Sequence, residues 1–176
     1  MISAAVTLVM LLGVLGGVAL WSRRGESSVD PPGVRSLATF QGAEAHVTAE
    51  ERDAEKRNGR GALGRGLATL LATRLRERGL TVAAPAAEDY GWAVAMKVQR
   101  ETAHLLLGAT EEPAVPTTRW ALSVLDEAGN PGPRSALAHV DAALRAVPGV
   151  EGLAWHKRER HLAGDLSSGA DHPVES

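Results

Sequence analysis

The chain has 176 residues, with 19 Lys and Arg against 21 Asp and Glu, a formal net charge of -2, and no cysteine. The near-neutral balance argues against a dedicated nucleic-acid binder, which carries a basic excess, and the 44% hydrophobic content argues against a wholly disordered chain. Without cysteine there is no disulfide, zinc ribbon, iron–sulfur cluster or thiol catalysis.

Residues 2–21 carry no charge, and their only polar side chains are Ser3 and Thr7. At roughly 1.5 Å per residue such a run makes a helix of about 30 Å, the thickness of a bilayer's hydrocarbon core. The sequence therefore predicts a transmembrane anchor over residues 1–22, with the bilayer as its first partner. A cleaved signal peptide expects positive charge ahead of a shorter apolar run and a small-x-small site after it, whereas here the start is Met1-Ile2-Ser3, the run is long and its exit reads Val18-Ala19-Leu20-Trp21. Trp21 suits the interface, and Arg23 and Arg24 place the rest of the chain on the cytoplasmic side of a bacterial inner membrane. Gly13 and Gly17 form a GxxxG, the spacing at which two membrane helices approach closely, and are the candidate packing residues of a homodimer.

Residues 23–36, with Pro31-Pro32, read as a tether. Residues 37–163 hold nearly all the remaining hydrophobic periodicity and make one soluble domain, followed by a polar, acidic tail over 164–176. Thr48 and Glu51 fit a capping box, so a helix begins there. Its charged turns run to Asn58. After a glycine-rich break, Leu63, Leu67, Leu70, Leu71 and Leu75 recur at helical spacing up to Gly79. The period then falls to 2. Leu80–Ala84 is a short strand stopped by Pro85, and in the next strand Trp92, Val94, Met96 and Val98 form the bulky face. His104–Gly108 is a third strand, and Trp120, Leu122 and Val124 alternate in a fourth. After the breaker-rich turn 126–134, Ser135 is the expected cap of a helix carrying Leu137, Val140, Leu144 and Val147. Residues 150–155 add a last short strand or a packed arm. The expected fold is α+β, with an N-terminal transmembrane helix and then an antiparallel sheet of about four strands in the order α-β-β-β-β-α, helices on one face.

Two motifs carry candidate chemistry. Gly59-Arg60-Gly61-Ala62-Leu63-Gly64 spells GxGxxG, but it follows a charged helical run where a dinucleotide fingerprint must follow a strand, and it reads as a helix break. Glu88-Asp89-Tyr90-Gly91-Trp92 sets two carboxylates beside two aromatics, and Glu88, Asp89, Tyr90 and Trp92 are the candidate binding residues. Neighbouring strand residues point to opposite sides, so Glu88 and Asp89 do not form a carboxylate pair on one bond. The E-D-aromatic-G-W string, with Trp120 and the late Trp155, resembles small uncharacterised bacterial α+β proteins that share this signature. The resemblance spans residues 63–156 and implies a fold, not an activity or a catalytic residue.

The six histidines are scattered; on a helix His156 and His161 would diverge by about 140°. With no HExxH and no G-x-S-x-G elbow, no metal, cofactor or serine nucleophile is expected. The leading expectation is a single-pass membrane protein whose α+β domain binds a protein partner without catalysis, through the sheet face or the 88–92 loop. The alternatives are an enzyme using Glu88 or Asp89 with a histidine such as His104, and a self-associating structural membrane protein driven by Gly13 and Gly17.

Overall fold

The structure is a computed structural model that describes residues 29–43, 46–58, 63–88, 91–110, 117–165, 167 and 169–175. In chain order its elements are β1 (Leu37–Ala43), α1 (Ala49–Asn58), α2 (Arg65–Glu77), β2 (Thr81–Val82), β3 (Ala86–Glu88), β4 (Gly91–Val98), β5 (Glu101–Ala109), β6 (Thr117–Leu125), α3 (Arg134–Arg145), β7 (Glu151–His156) and α4 (Arg158–Leu162). The strands form one seven-stranded sheet in the order β2-β4-β5-β6-β1-β7, with β3 also paired to β4, and every pairing is antiparallel. Because β2 and β3 both pair with β4, they are two pieces of one interrupted edge strand.

The class is α+β as expected, but the architecture corrects the expected one. Seven strands replace four, and four helices stand among the described residues. The four predicted strands are present as β2, β4, β5 and β6, and β4-β5-β6 is the expected meander. The main omission is β1, which lies inside the sheet between β6 and β7. Its inward positions are Ala38, Phe40 and Gly42, all buried, and with two small residues among three its alternation is faint in hydropathy. β3 has three exposed residues and so no apolar alternation at all. The expected transmembrane helix is not among the elements of this structure: no helix among the described residues is long and apolar enough to cross a membrane. Residues 2–21, with Gly13 and Gly17, lie outside the described residues.

The helices begin for identifiable reasons. At α1 the Glu51 amide donates to Thr48 Oγ1 at 3.2 Å and the Thr48 amide donates to Glu51 Oε2 at 2.7 Å, so the capping box forms as read. α2 starts from Gly64, which holds a left-handed conformation at φ 97. A Cβ there would lie 2.5 Å from the Trp120 ring, so this last glycine of the GxGxxG string serves a helix start packed on an indole. α3 begins one residue before the expected cap. Pro133 is its N-cap, at φ -58, and Ser135 lies within the first turn.

One face of the sheet is the core. Leu67, Leu71 and Leu75 of α2 and Leu137, Val140 and Leu144 of α3 are buried with Val94, Met96, Leu105, Leu107, Trp120, Leu122, Phe40 and Trp155 of the sheet. Each such side chain contributes on the order of 1.5–3 kcal/mol of transfer free energy. Chain on either side of 37–163 packs too. Buried Asp30 accepts from the Ser36 amide and hydroxyl and from the Arg158 amide, Val34 bridges to Val174, and Ala170 bridges to Trp155.

Candidate functional site

Strand periodicity gives the sheet a second face. Opposite the core residues stand Ala93 and Ala95 of β4, Leu106 of β5, Ala121 and Ser123 of β6, Thr39 of β1 and Ala154 of β7. All of these are half-buried, whereas the core-facing residues between them are buried. Lys97, Arg119 and Gln41, on the same face, are exposed. The middle of this face is thus made mostly of small side chains reached by solvent, with Leu106 and His104 of β5 among them, and α2 and α3 bury their apolar stripes on the other side.

The 88–92 segment is the hairpin between β3 and β4, with Glu88 paired to Gly91 and Ala87 to Trp92. Gly91 is demanded by its surroundings: its φ is +150 and a Cβ would lie 2.1 Å from the Leu107 carbonyl oxygen. Trp92 shares the parity of Val94 and Met96 and packs, half-buried, against the core. Glu88 is exposed and carries the parity of the second face. The two therefore sit on opposite sides of the sheet and do not line one pocket. Asp89 and Tyr90 lie outside the described residues. Nor is His104 near Glu88: it pairs with Ala95 from the opposite side of β4, and Ala95 is four residues, about 13 Å, along β4 from the Gly91 that faces Glu88.

The structure does gather polar groups at the β7 end of the second face. His156 is the last residue of β7, and its Nε2 lies 2.8 Å from Thr39 Oγ1 on β1. Lys157 is extended and α4 starts at Arg158, so the chain folds back and sets the His161 ring 5.0 Å from that of His156. Both Nδ1 atoms are buried without a hydrogen-bond partner. Burial lowers the pKa of His156, partly opposed by the Asp165 charge, while burial and then the neighbouring His156 lower that of His161. Gly169 closes over His156, since a Cβ there would lie 2.9 Å from His156 Cε1.

Comparison with known protein families, curated proteins and solved structures finds no match to this chain.

The chemistry of the centre follows from its atoms. Thr39 and His156 are within the reach of a hydroxyl and a base, but His156 Nδ1 meets no acceptor that would orient the ring as a general base requires. Two imidazoles offer two ligands, and among the described residues no three His, Asp or Glu side chains converge on a metal position. The pairing was hidden from the sequence because a 156–161 helix sends the rings apart, whereas a strand end followed by a new helix brings them together. The available signal was Trp155, a buried residue ending a short alternating run just before the two histidines.

Proposed function

We propose that the domain is a non-catalytic protein-interaction module, associated with a membrane through its apolar N-terminal residues, and that the second sheet face is its contact surface. The observation that supports this reading is the contrast between the faces: one is sealed by α2 and α3, and the other keeps half-buried and mostly small side chains from β4 to β1. Alanine has no side-chain rotamer entropy to lose, so a partner docking on Ala93, Ala95, Ala121 and Ala154 meets a low ordering cost. The sheet edge is less suited to strand addition. Arg76 donates to the Val82 and Ala83 carbonyls beside β2, Pro85 interrupts the strand, and β3 has only three residues. On the membrane side, Arg23 and Arg24 after the apolar run favour a cytoplasmic domain.

The test is crosslinking in membranes of cells making the full chain or the Ala95→Arg/Ala121→Arg variant. These positions are half-buried on the solvent side, so the variant is expected to keep its thermal transition and lose the crosslinked partner. Crosslinks identical to those of the unaltered chain, with the fold intact, would assign contact elsewhere. Reporter fusions after Ser176, active on one side of the membrane only, test the cytoplasmic placement.

A further inference from the structure

The His156–His161 centre holds down a covering element. α4 and the chain after it close the β7 end of the second face: His161 comes from α4, Gly169 sits against His156, and Ala170 pairs with Trp155 through two backbone hydrogen bonds of 2.7 and 2.8 Å. Farther along, the Glu175 amide donates to the Gly33 carbonyl and the Arg35 guanidinium bonds the Glu175 carboxylate. We propose that His156 and His161 are an acid-released latch, in which protonation of either imidazole frees α4 and the arm through residue 175 from the sheet.

The geometry gives the reason. In the imidazolium form of either ring both nitrogens carry a hydrogen, so the buried, unpartnered Nδ1 is a charged donor with no acceptor, 5.0 Å from a second imidazole. Among the charged groups around the centre, the one that favours the proton on His156, Asp165, is outweighed by burial. On β1 the neighbour is the neutral Thr39 hydroxyl. In α4, Arg158 is turned to the Gly129 carbonyl and Glu159 to the Asp30 amide. Asp165 is the carboxylate whose charge favours protonated His156, and its Oδ1 also accepts from the Ser167 amide and hydroxyl. In the arm, His172 lies beside Asp141 and Glu175 beside Arg35. Opening lets both rings into water, where the proton is accepted freely, so acid shifts the equilibrium toward the open arm. This goes beyond the contact-face reading and does not need it: the latch works whatever docks on the sheet.

The experiment is amide hydrogen exchange on the full chain in detergent, at about pH 7.5 and about pH 5.5, either side of the ordinary histidine pKa. Protection factors are compared between the arm amides whose hydrogen bonds cross to chain outside the arm (Ala170, Glu175) and sheet-side amides (Val124, Gly132). Arm protection is expected to fall several-fold relative to the sheet at the lower pH. In His156→Gln/His161→Gln, which takes up no proton at either site, that difference is expected to vanish. Equal arm protection at both pH values in the unaltered chain overturns the proposal, as does a pH effect that survives in the double variant. If the double variant fails to fold, the histidine ring resonances of the unaltered chain decide: titration in step with arm opening supports the latch, and titration with the arm closed overturns it.

Discussion

The Glu51 carboxylate accepts from the Arg65 backbone amide at 2.7 Å through Oε1, while its Oε2 accepts from the Thr48 amide. One side chain thus sits at the start of two helices. It completes the capping box of α1 and gives a partner to the first amide of α2, whose N-cap, Gly64, has no side chain to offer. An anion there also meets the positive ends of both helix dipoles.

Removing the two sides of the box should therefore have unequal effects. Thr48→Ala loses one cap acceptor and is expected to cost about 1 kcal/mol, the usual value for such a cap. Glu51→Ala loses both amide contacts and is expected to cost about 2 kcal/mol. Urea unfolding of the two variants checks this, and equal costs would mean that the Arg65 contact adds nothing to stability.

The parts of the fold that were legible in the sequence are those decided by neighbours. Thr48 and Glu51 meet across one helical turn, and Val94, Met96 and Val98 alternate without interruption; both patterns appear in the structure as written. What escaped depends on residues far apart. β1 is a strand because Phe40 pairs with Trp120 and Ala38 with Trp155, partners that no local pattern in 37–43 reveals. Its Gly42, which weakens the strand signal, is what the Trp120 indole needs, since a Cβ there would lie 2.4 Å from Nε1. The same holds for the histidine centre, where the ring contact depends on the chain changing from strand to helix at Lys157.

The Gly91 backbone leaves no space for a side chain. Gly91→Ala is expected to destabilise by about 3 kcal/mol or more, because a Cβ 2.1 Å from the Leu107 carbonyl oxygen forces β4 away from β5. Gly79 is the internal comparison. It also has positive φ, at +82, but nothing lies within 4 Å of its Cβ position, so Gly79→Ala carries the conformational cost alone, about 1 kcal/mol. Thermal unfolding of both variants separates steric from conformational cost, and similar losses would contradict the close approach of β4 and β5.

Trp155 is tied to α3 by a buried polar contact. Its Nε1 donates to Asp141 Oδ1 at 2.8 Å, and Arg145 Nε bonds both carboxylate oxygens. Asp141→Ala strands the indole N–H in the core and is expected to cost about 2 kcal/mol. Arg145 is far more exposed, so Arg145→Ala is expected to cost less than about 1 kcal/mol. Chemical denaturation orders the two, and a larger loss for Arg145→Ala would move the weight of the cluster from the indole contact to the ion pair.

Stability should decline with mild acid, and the responsible groups are histidines. His46, His156 and His161 all have pKa values lowered from 6.5, in each case chiefly by burial. His46 is fixed as the tautomer whose Nε2–H donates to the Pro148 carbonyl, with Nδ1 buried and unpartnered. The sign follows from proton counts. Above about pH 6.5 these rings are neutral in both states and contribute no pH dependence. Below it the unfolded chain takes up protons that the folded chain refuses, so stability falls as pH falls, until the folded-state pKa values are passed. Each histidine contributes a slope of at most about 1.4 kcal/mol per pH unit. Urea midpoints measured from about pH 8 to about pH 5 should fall through that window, and His46→Gln should reduce the slope by removing one titrating ring. A flat profile down to about pH 5, with loss only where carboxylates protonate, would mean that the three rings accept protons in the folded state as readily as in water.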